Sequence, residues 1–403
     1  MLNQDIVREA TRLTRAGQLV EATALLQRML RGDSATDAPM RATGRTALRE
    51  REPLTIDVTP NSVEERPSTS RAKAPFDQPR KLRTVLGRSM KPSGLGLRGV
   101  MKKRTPPSTR DIVPDGGRFI EGHYSNAAGS RGYKLFVPGG YHGQPLPLIV
   151  MLHGCTQSPD DFAAGTRMNF IANEQACLVV YPAQRSEANQ AKCWNWFRRD
   201  DQQRGHGEPS LIAGITRQIM RDYAVDPRRV YVAGLSAGAA AAAVMGATYS
   251  DLYAAIGVHS GLACGAASDL PSAFIAMRQG GEPDGRVADD RPPVPTIVFH
   301  GDRDCTVHPN NGDQILQQFR RTTHTQAKVH RGRATGGHGY TRTVHTDASG
   351  REIFEHWTIH GAGHAWSGGS PAGSYTDQRG PDATREMLRF FLAHSLPQQQ
   401  GQH

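Results

Sequence analysis

From Tyr133 onward, short apolar runs alternate with segments in which apolar residues recur at helical spacing. The runs Tyr133–Val137, Leu148–Leu152, Leu178–Tyr181, Val230–Ala233, Ala255–His259, Thr296–Phe299 and Ile353–Ile359 have the length and β-branched content of strands. Between them, Asp161–Gln175, Leu211–Tyr223, Ala237–Ala247, Asn311–Arg321 and Gly380–Leu392 read as helices. This alternation predicts an α/β domain over 111–397, with a mainly parallel sheet covered by helices on both faces. Functional groups in such sheets collect where strands end at their carboxyl side, so the chemistry is sought there.

The pattern differs ahead of this region. Ile6, Ala10 and Leu13 form one helical stripe and Leu19, Ala22, Leu26 and Met29 another, separated by Ala16-Gly17-Gln18, which predicts a helical hairpin over 1–32. One such unit cannot bury its apolar face alone, so it is expected to dock on the catalytic domain or on a second subunit. Residues 33–110 show no period and are rich in Pro, Ser and Thr, as a disordered linker is.

Composition agrees with a chain that is only partly packed: 37% apolar and 6% aromatic. The net charge of +11 is not spread evenly. Residues 1–110 hold 22 of the 49 basic and 11 of the 38 acidic residues, which leaves 27 of each sign for the remainder. The excess is densest between Pro79 and Arg104, where nine Lys/Arg occur without an acid. Such a tract is a solvated linker or an adhesive for an acidic surface or granule. Nucleic acid is disfavoured because the tract lacks aromatic residues for base stacking. No apolar stretch approaches the roughly 20 residues of a membrane span. Asp5 and Glu9 interrupt the place where a secretory signal would be apolar, so a cytoplasmic address is the expectation.

Candidate chemistry begins at the end of the run Val230–Ala233. There Gly234-Leu235-Ser236-Ala237-Gly238 leads at once into the alanine-rich helix. Strand, G-x-S-x-G, helix is the context of a nucleophile elbow, and it points to an α/β-hydrolase fold with Ser236 as nucleophile. A serine hydroxyl needs an imidazole to take its proton and a carboxylate to orient that imidazole, and in this fold they follow in the order acid, then histidine. The strand Thr296–Phe299 runs into His300-Gly301-Asp302-Arg303-Asp304; either aspartate could serve, and Asp304 is favoured because a turn must separate the strand end from the acid. The strand Ile353–Ile359 runs into His360-Gly361-Ala362-Gly363-His364, where glycines free a loop to present His364; His360, His338 and His308 are the lesser candidates. Two amides should face the developing oxyanion. One is that of Ala237, and the other that of Cys155, which follows the strand Leu148–Leu152 in His153-Gly154-Cys155-Thr156-Gln157. Trp194 and Trp196 flank Asn195 in an extended segment, so the indoles share a side, either in the core or as an apolar wall for substrate. No clustered His, Cys or carboxylate set and no phosphate-cradling loop calls for a metal or organic cofactor.

Together, Leu152-His153-Gly154-Cys155-Thr156-Gln157, Cys193-Trp194-Asn195-Trp196-Phe197, Gly234-Leu235-Ser236-Ala237-Gly238 and Gly363-His364-Ala365-Trp366 resemble the poly(3-hydroxybutyrate) depolymerase family of esterases over about residues 117–394. The resemblance implies hydrolysis of short-chain-length polyhydroxyalkanoates or their oligomers through Ser236, Asp304 and His364. The wider group is similar to feruloyl and acetylxylan esterases, which gives a second enzymatic reading. A binding protein for a granule or surface, with catalysis secondary, is the reading from another class. Secreted members of the family carry signal peptides and often a substrate-binding module, both of which this sequence departs from; the resemblance keeps an extracellular address as the alternative.

The five cysteines test that address. In a reducing cytosol all are small buried thiols. In an oxidising space Cys155–Cys193 and Cys264–Cys305 are the conceivable bridges, with Cys177 a buried thiol beside the strand Leu178–Tyr181.

Overall fold

The structure is a computed structural model that describes residues 106–281, 294–320 and 324–398. The expected hairpin of 1–32 and the basic tract between Pro79 and Arg104 lie outside the described residues.

The strands are β1 Arg118–Asn126, β2 Gly129–Val137, β3 Leu146–Leu152, β4 Leu178–Pro182, β5 Val225–Leu235, β6 Ala255–His259, β7 Thr296–Gly301, β8 Gln326–Arg333, β9 Gly339–Thr346 and β10 Glu352–Ile359. They form one sheet in the order β1-β2-β4-β3-β5-β6-β7-β10-β9-β8. The central neighbours β4, β3, β5, β6, β7 and β10 run parallel, and β1, β2, β9 and β8 add antiparallel edges. The helices are α1 Thr109–Ile112, α2 Pro159–Thr166, α3 Met168–Glu174, α4 Gly207–Asp222, α5 Ala237–Thr248, α6 Leu270–Gln279, α7 Asn310–Arg320 and α8 Ala383–Leu392.

Every residue of β3, β4, β6 and β7 is buried, which is why these strands read as unbroken apolar runs rather than alternating ones. Their side chains still alternate between two cores. Leu148, Val150 and Leu152 join Val230 and Val232 under α4 and α5, while Ile149 and Met151 join Tyr231 and Ala233 under α2, α3 and α8. Each fully buried Leu, Ile or Phe contributes roughly 1.5–3 kcal/mol, so the two clusters supply most of the driving force that flattens the helices onto the sheet. Helix α5 is buried over Ala237–Gly246, and its run of alanines lets it lie close to β3, β5 and β6 with α4 beside it.

Strands β1, β8 and β9 are absent from the sequence expectation. β8 is exposed along almost its whole length and β1 along alternate positions, so neither carries the apolar signal that marked the central strands. The helix expected over Asp161–Gln175 is two helices. Arg167 takes a left-handed conformation (φ 56°) that ends α2 and begins α3, and Thr166 turns its hydroxyl back to the Phe162 carbonyl. The last helix starts at Ala383, where the Asp382 side chain caps the Arg385 amide, and not at Gly380.

Candidate active site

Ser236 stands between β5 and α5 with φ 57° and ψ −121°, a region that costs a non-glycine residue on the order of 1–3 kcal/mol. The surroundings impose it. The Ser236 amide donates to the His259 carbonyl (2.9 Å) and its carbonyl accepts from Ala240 (2.9 Å). A Cβ at Gly234 would strike the Gly238 carbonyl, and one at Gly238 would strike the Leu152 carbonyl. The two glycines of the pentapeptide therefore let α5 press against β5 and β3 while Ser236 is lifted from the turn.

Parallel pairing brings the other expected residues to the same edge. β5, β6, β7 and β10 are successive neighbours, and Leu235 lies opposite His259, His259 opposite Phe299, and Gly301 opposite Ile359. The loops that carry Ser236, Asp304 and His364 leave from that edge. His364 Nδ1 lies 2.7 Å from Asp304 Oδ2, and both groups are largely buried. Asp304 Oδ1 accepts the Thr306 and Val307 amides, each at 2.9 Å. Burial alone would raise the Asp304 carboxyl, but N–H groups of His300, His364 and Val307 outweigh it and hold the acid well below the usual carboxylate range. The carboxylate is thus ionised at neutral pH and fixes the His364 proton on Nδ1, which turns the Nε2 lone pair away from the acid.

The competing residues have other partners. Asp302 accepts the Gly361 amide (2.7 Å) and pairs with Nδ1 of the half-exposed His360 (2.9 Å), whose Nε2 meets the Thr341 hydroxyl. His338 Nε2 pairs with Asp377 (2.8 Å), and His308 Nδ1 accepts the Asn310 amide (3.2 Å).

Where the second oxyanion donor is expected, the chain turns at His153-Gly154-Cys155. A Cβ at Gly154 would lie 3.6 Å from the Ser236 Cβ, so this turn lies against the elbow. The Gly154 amide is taken by Gln157 Oε1 (2.9 Å), which leaves the amide of Cys155 as the donor available beside that of Ala237. Ala237 opens α5 and has no acceptor within the helix. His153 is buried: its Nε2 accepts the Gln184 amide (3.0 Å), so Nδ1 carries the proton and donates to the Gly154 carbonyl (2.8 Å). Behind it, Glu208 accepts from Gln184, from the Asn195 amide (2.7 Å) and side chain (2.9 Å), and from Arg131 (3.2 Å). Burial pushes this carboxyl up, and the donors keep it anchored.

Cys155 is disulfide-bonded to Cys193. The second bridge conceived from the sequence is not made. Cys264 is buried with its backbone clasped by Gln318, while Cys305 is exposed on the loop after β7; Cys177 is a buried thiol that burial pushes up to about 12. The tryptophans are also corrected. Trp194 is fully buried and donates its indole N–H to the His153 carbonyl (3.1 Å), and Trp196 packs edge-on against Phe197. Both indoles belong to the core, because the bridge to Cys155 and the Asn195–Glu208 bonds draw the segment inward. Trp194 braces the turn at His153, and neither indole is an open wall for substrate.

Sequence reading missed His259. It is fully buried, stacked on Phe299 and Trp366, and its Nε2 accepts the Ser367 amide (3.0 Å), three residues beyond His364. Its only sequence signal is a histidine closing an otherwise apolar strand. Burial lowers His153 to about 4, His259 to about 3 and His356 to about 4. In the unfolded chain these imidazoles protonate near pH 6.5, so between pH 6.5 and 4 the unfolded state binds up to three more protons than the folded state. Stability is therefore expected to drop as pH falls through that window. Urea midpoints that stay level from pH 7 to about 4.5 would contradict the burial of these three neutral imidazoles.

Among the described residues no group of three or more His, Cys, Asp or Glu could hold a metal ion, and no helix is long and apolar enough to cross a membrane. The family model described as esterase PHB depolymerase matches residues 131–338, which include Ser236 and Asp304 and stop short of the His364 loop. A poly(3-hydroxyalkanoate) depolymerase C of Paucimonas lemoignei is 34% identical over 238 residues, 57% of this chain and 56% of the relative. A probable acetylxylan esterase A of Aspergillus clavatus is 28% identical over 47% of this chain and 65% of its own. The chain thus spans 56% and 65% of the length of these two relatives. Among solved structures, the acetyl xylan esterase from Aspergillus awamori superposes with a TM-score of 0.54 at 18% identity, over 69% of this chain and 99% of that one, which shows the shared α/β-hydrolase fold. With the profile covering half of its length, the chain belongs to the esterase PHB depolymerase family.

Proposed function

We propose that the protein is a serine esterase that hydrolyses short-chain-length polyhydroxyalkanoate, poly(3-hydroxybutyrate) in particular, or its oligomers. The observation that carries the chemistry is the 2.7 Å contact of His364 Nδ1 with the buried Asp304, at the sheet edge where Ser236 occupies a strained elbow. In this mechanism His364 Nε2 takes the Ser236 proton as Oγ attacks the ester carbonyl. The amides of Cys155 and Ala237 stabilise the oxyanion, and the alcohol leaves with the proton returned by His364. Water, activated by the same imidazole, then frees the acid from Ser236. Asp304 stays ionised throughout and stabilises the imidazolium.

The substrate class is supported by the family match and the depolymerase relative. The likeness in sequence and fold to acetylxylan esterases favours a second reading, release of acetyl or feruloyl groups from polysaccharide. Turnover of hydroxybutyrate oligomers, amorphous polymer, acetylated xylan and feruloyl esters by the purified chain decides between them. Polymer and oligomer inert beside a fast polysaccharide ester would overturn the first. Contact with an acidic surface or granule through the tract Pro79–Arg104 is part of the same reading; removal of residues 1–110 should abolish sedimentation with granules and spare turnover of a soluble ester.

The Cys155–Cys193 bridge supports action in an oxidising space, where such bonds persist. It also ties the oxyanion donor to the segment that Glu208 anchors. Cys193→Ser is expected to lower stability by roughly 2–4 kcal/mol. Activity should fall at temperatures well below the new midpoint, because the Cys155 amide loses its tether. Unchanged kcat in Cys193→Ser at such temperatures would show that the turn is held without it.

A further inference from the structure

His300 is buried and His356 largely buried, on neighbouring parallel strands, with His300 opposite Thr358 and His356 opposite Val298. This register turns both side chains to the same face of the sheet, where α7 packs with Gly312 in its first turn. His300 Nε2 lies 2.8 Å from the Val307 carbonyl and 3.5 Å from Asp304 Oδ2. Both neighbours are acceptors, so Nε2 carries the proton and Nδ1 is a bare lone pair. His356 Nδ1 lies 3.3 Å from the Asp313 carboxylate, which places its proton there and leaves Nε2 bare. The two bare nitrogens are buried, and neither has a hydrogen-bond partner among the described residues.

They also converge. The point where a Cβ on Gly312 would stand is 3.1 Å from His356 Nε2 and 3.2 Å from His300 Nδ1. Two acceptors that flank one position of the helix call for a small molecule with two donors lying between them. Water meets that requirement. A zinc ion would need nitrogens at about 2.0–2.1 Å and further ligands, and the described residues offer no such set. Glycine in a helix is unfavourable relative to alanine, and here it keeps a side chain from crowding the two nitrogens.

The geometry points to one buried water held between His300 Nδ1 and His356 Nε2 over Gly312, which makes His300 a positioning residue for Asp304. By donating to Nδ1, the water keeps the His300 proton on Nε2. That proton closes a ring: His300 holds the Val307 carbonyl, the Val307 amide holds Asp304 Oδ1, and Oδ2 is left aimed at His364. The role of His300 rests on the triad reading above; the water site does not.

Two arms test this on the full chain. In 15N-histidine-labelled protein at neutral pH, His300 Nδ1 and His356 Nε2 should both appear as unprotonated nitrogens shifted as hydrogen-bond acceptors, with cross-relaxation to a long-lived water. Gly312→Ala should abolish those signatures and lower Tm, although helix propensity alone would raise it. A proton on either nitrogen, or a raised Tm in Gly312→Ala with both resonances unmoved, overturns the water site. In the second arm, His300→Phe should lower kcat by about 10- to 100-fold through misplacement of Asp304, with KM little changed. His300→Gln, which can return an N–H near the position of Nε2, should recover most of that loss. Equal losses in both variants, or a loss confined to KM, overturn the positioning role and leave the first arm standing. A wild-type chain inert on every ester would sink the triad reading and not the resonance result.

Discussion

Ser236→Ala is expected to reduce kcat/KM on a soluble ester by at least about 10⁴-fold, the largest effect of any single substitution in this chain. The hydroxyl is the one group at the elbow that can form the acyl-enzyme, and neither His364 nor the oxyanion amides can replace it. What remains is stabilisation of water attack by the amides of Cys155 and Ala237, which in serine hydrolases leaves only a small residual rate. The fold should persist. Ser236 is held at φ 57° by backbone contacts with His259 and Ala240, which alanine keeps, and only one oxygen at a half-buried turn is lost. Steady-state kinetics with a thermal melt check both halves of the expectation. An organophosphonate should label the wild-type peptide that contains Ser236 and leave the variant unlabelled; a variant that keeps more than a few per cent of the rate would place the nucleophile elsewhere.

Asp304→Asn is expected to cost about 10³- to 10⁴-fold in kcat, and Asp302→Asn only a few-fold. The asparagine Oδ1 can still accept the Thr306 and Val307 amides, so the loop should keep its shape. Its amide group then faces His364 Nδ1 with a donor where an acceptor stood. The imidazole is pushed to the other tautomer, with its proton on the nitrogen that must receive the one from Ser236. Asp302 has no such leverage: its oxygens serve the Gly361 amide and the half-exposed His360. An asparagine there retains an acceptor for the amide. Kinetics of the pair on one substrate are decisive, and a reversed order of effects would reassign the acid to Asp302.

What could be read from the sequence was what is local. The run Val230–Ala233, the pentapeptide around Ser236 and the alanine helix behind it are contiguous, so one window holds the strand, the turn and the packing demand of Gly234 and Gly238. The central strands were legible for the same reason: burial on both faces writes itself as an unbroken apolar run. The edge strands β1 and β8 lack that signature because water, not side chains, covers much of them. Asp304 and His364 were placed on their loops by strand ends and glycines, but the choice against Asp302 and His360 was only a preference. The tertiary structure separates them, because two adjacent loops pair Asp302 with His360 and Asp304 with His364.

Of the supports of the site, the Cys155–Cys193 bridge was conceivable from the sequence and the others were not legible. His259 meets an amide 108 residues away and Glu208 an arginine 77 residues away. A polar residue in an apolar run carries no mark of its partner in sequence, since a buried hydrogen bond is specified by two positions that only folding brings within 3 Å. The sequence alone therefore marked Ser236, Asp304 and His364 as candidates and determined the central strands that carry them. The tertiary structure alone decided which carboxylate meets which imidazole, that Trp194 and Trp196 belong to the core, and which buried groups hold the oxyanion turn, because those outcomes depend on distances across the sheet and not along the chain.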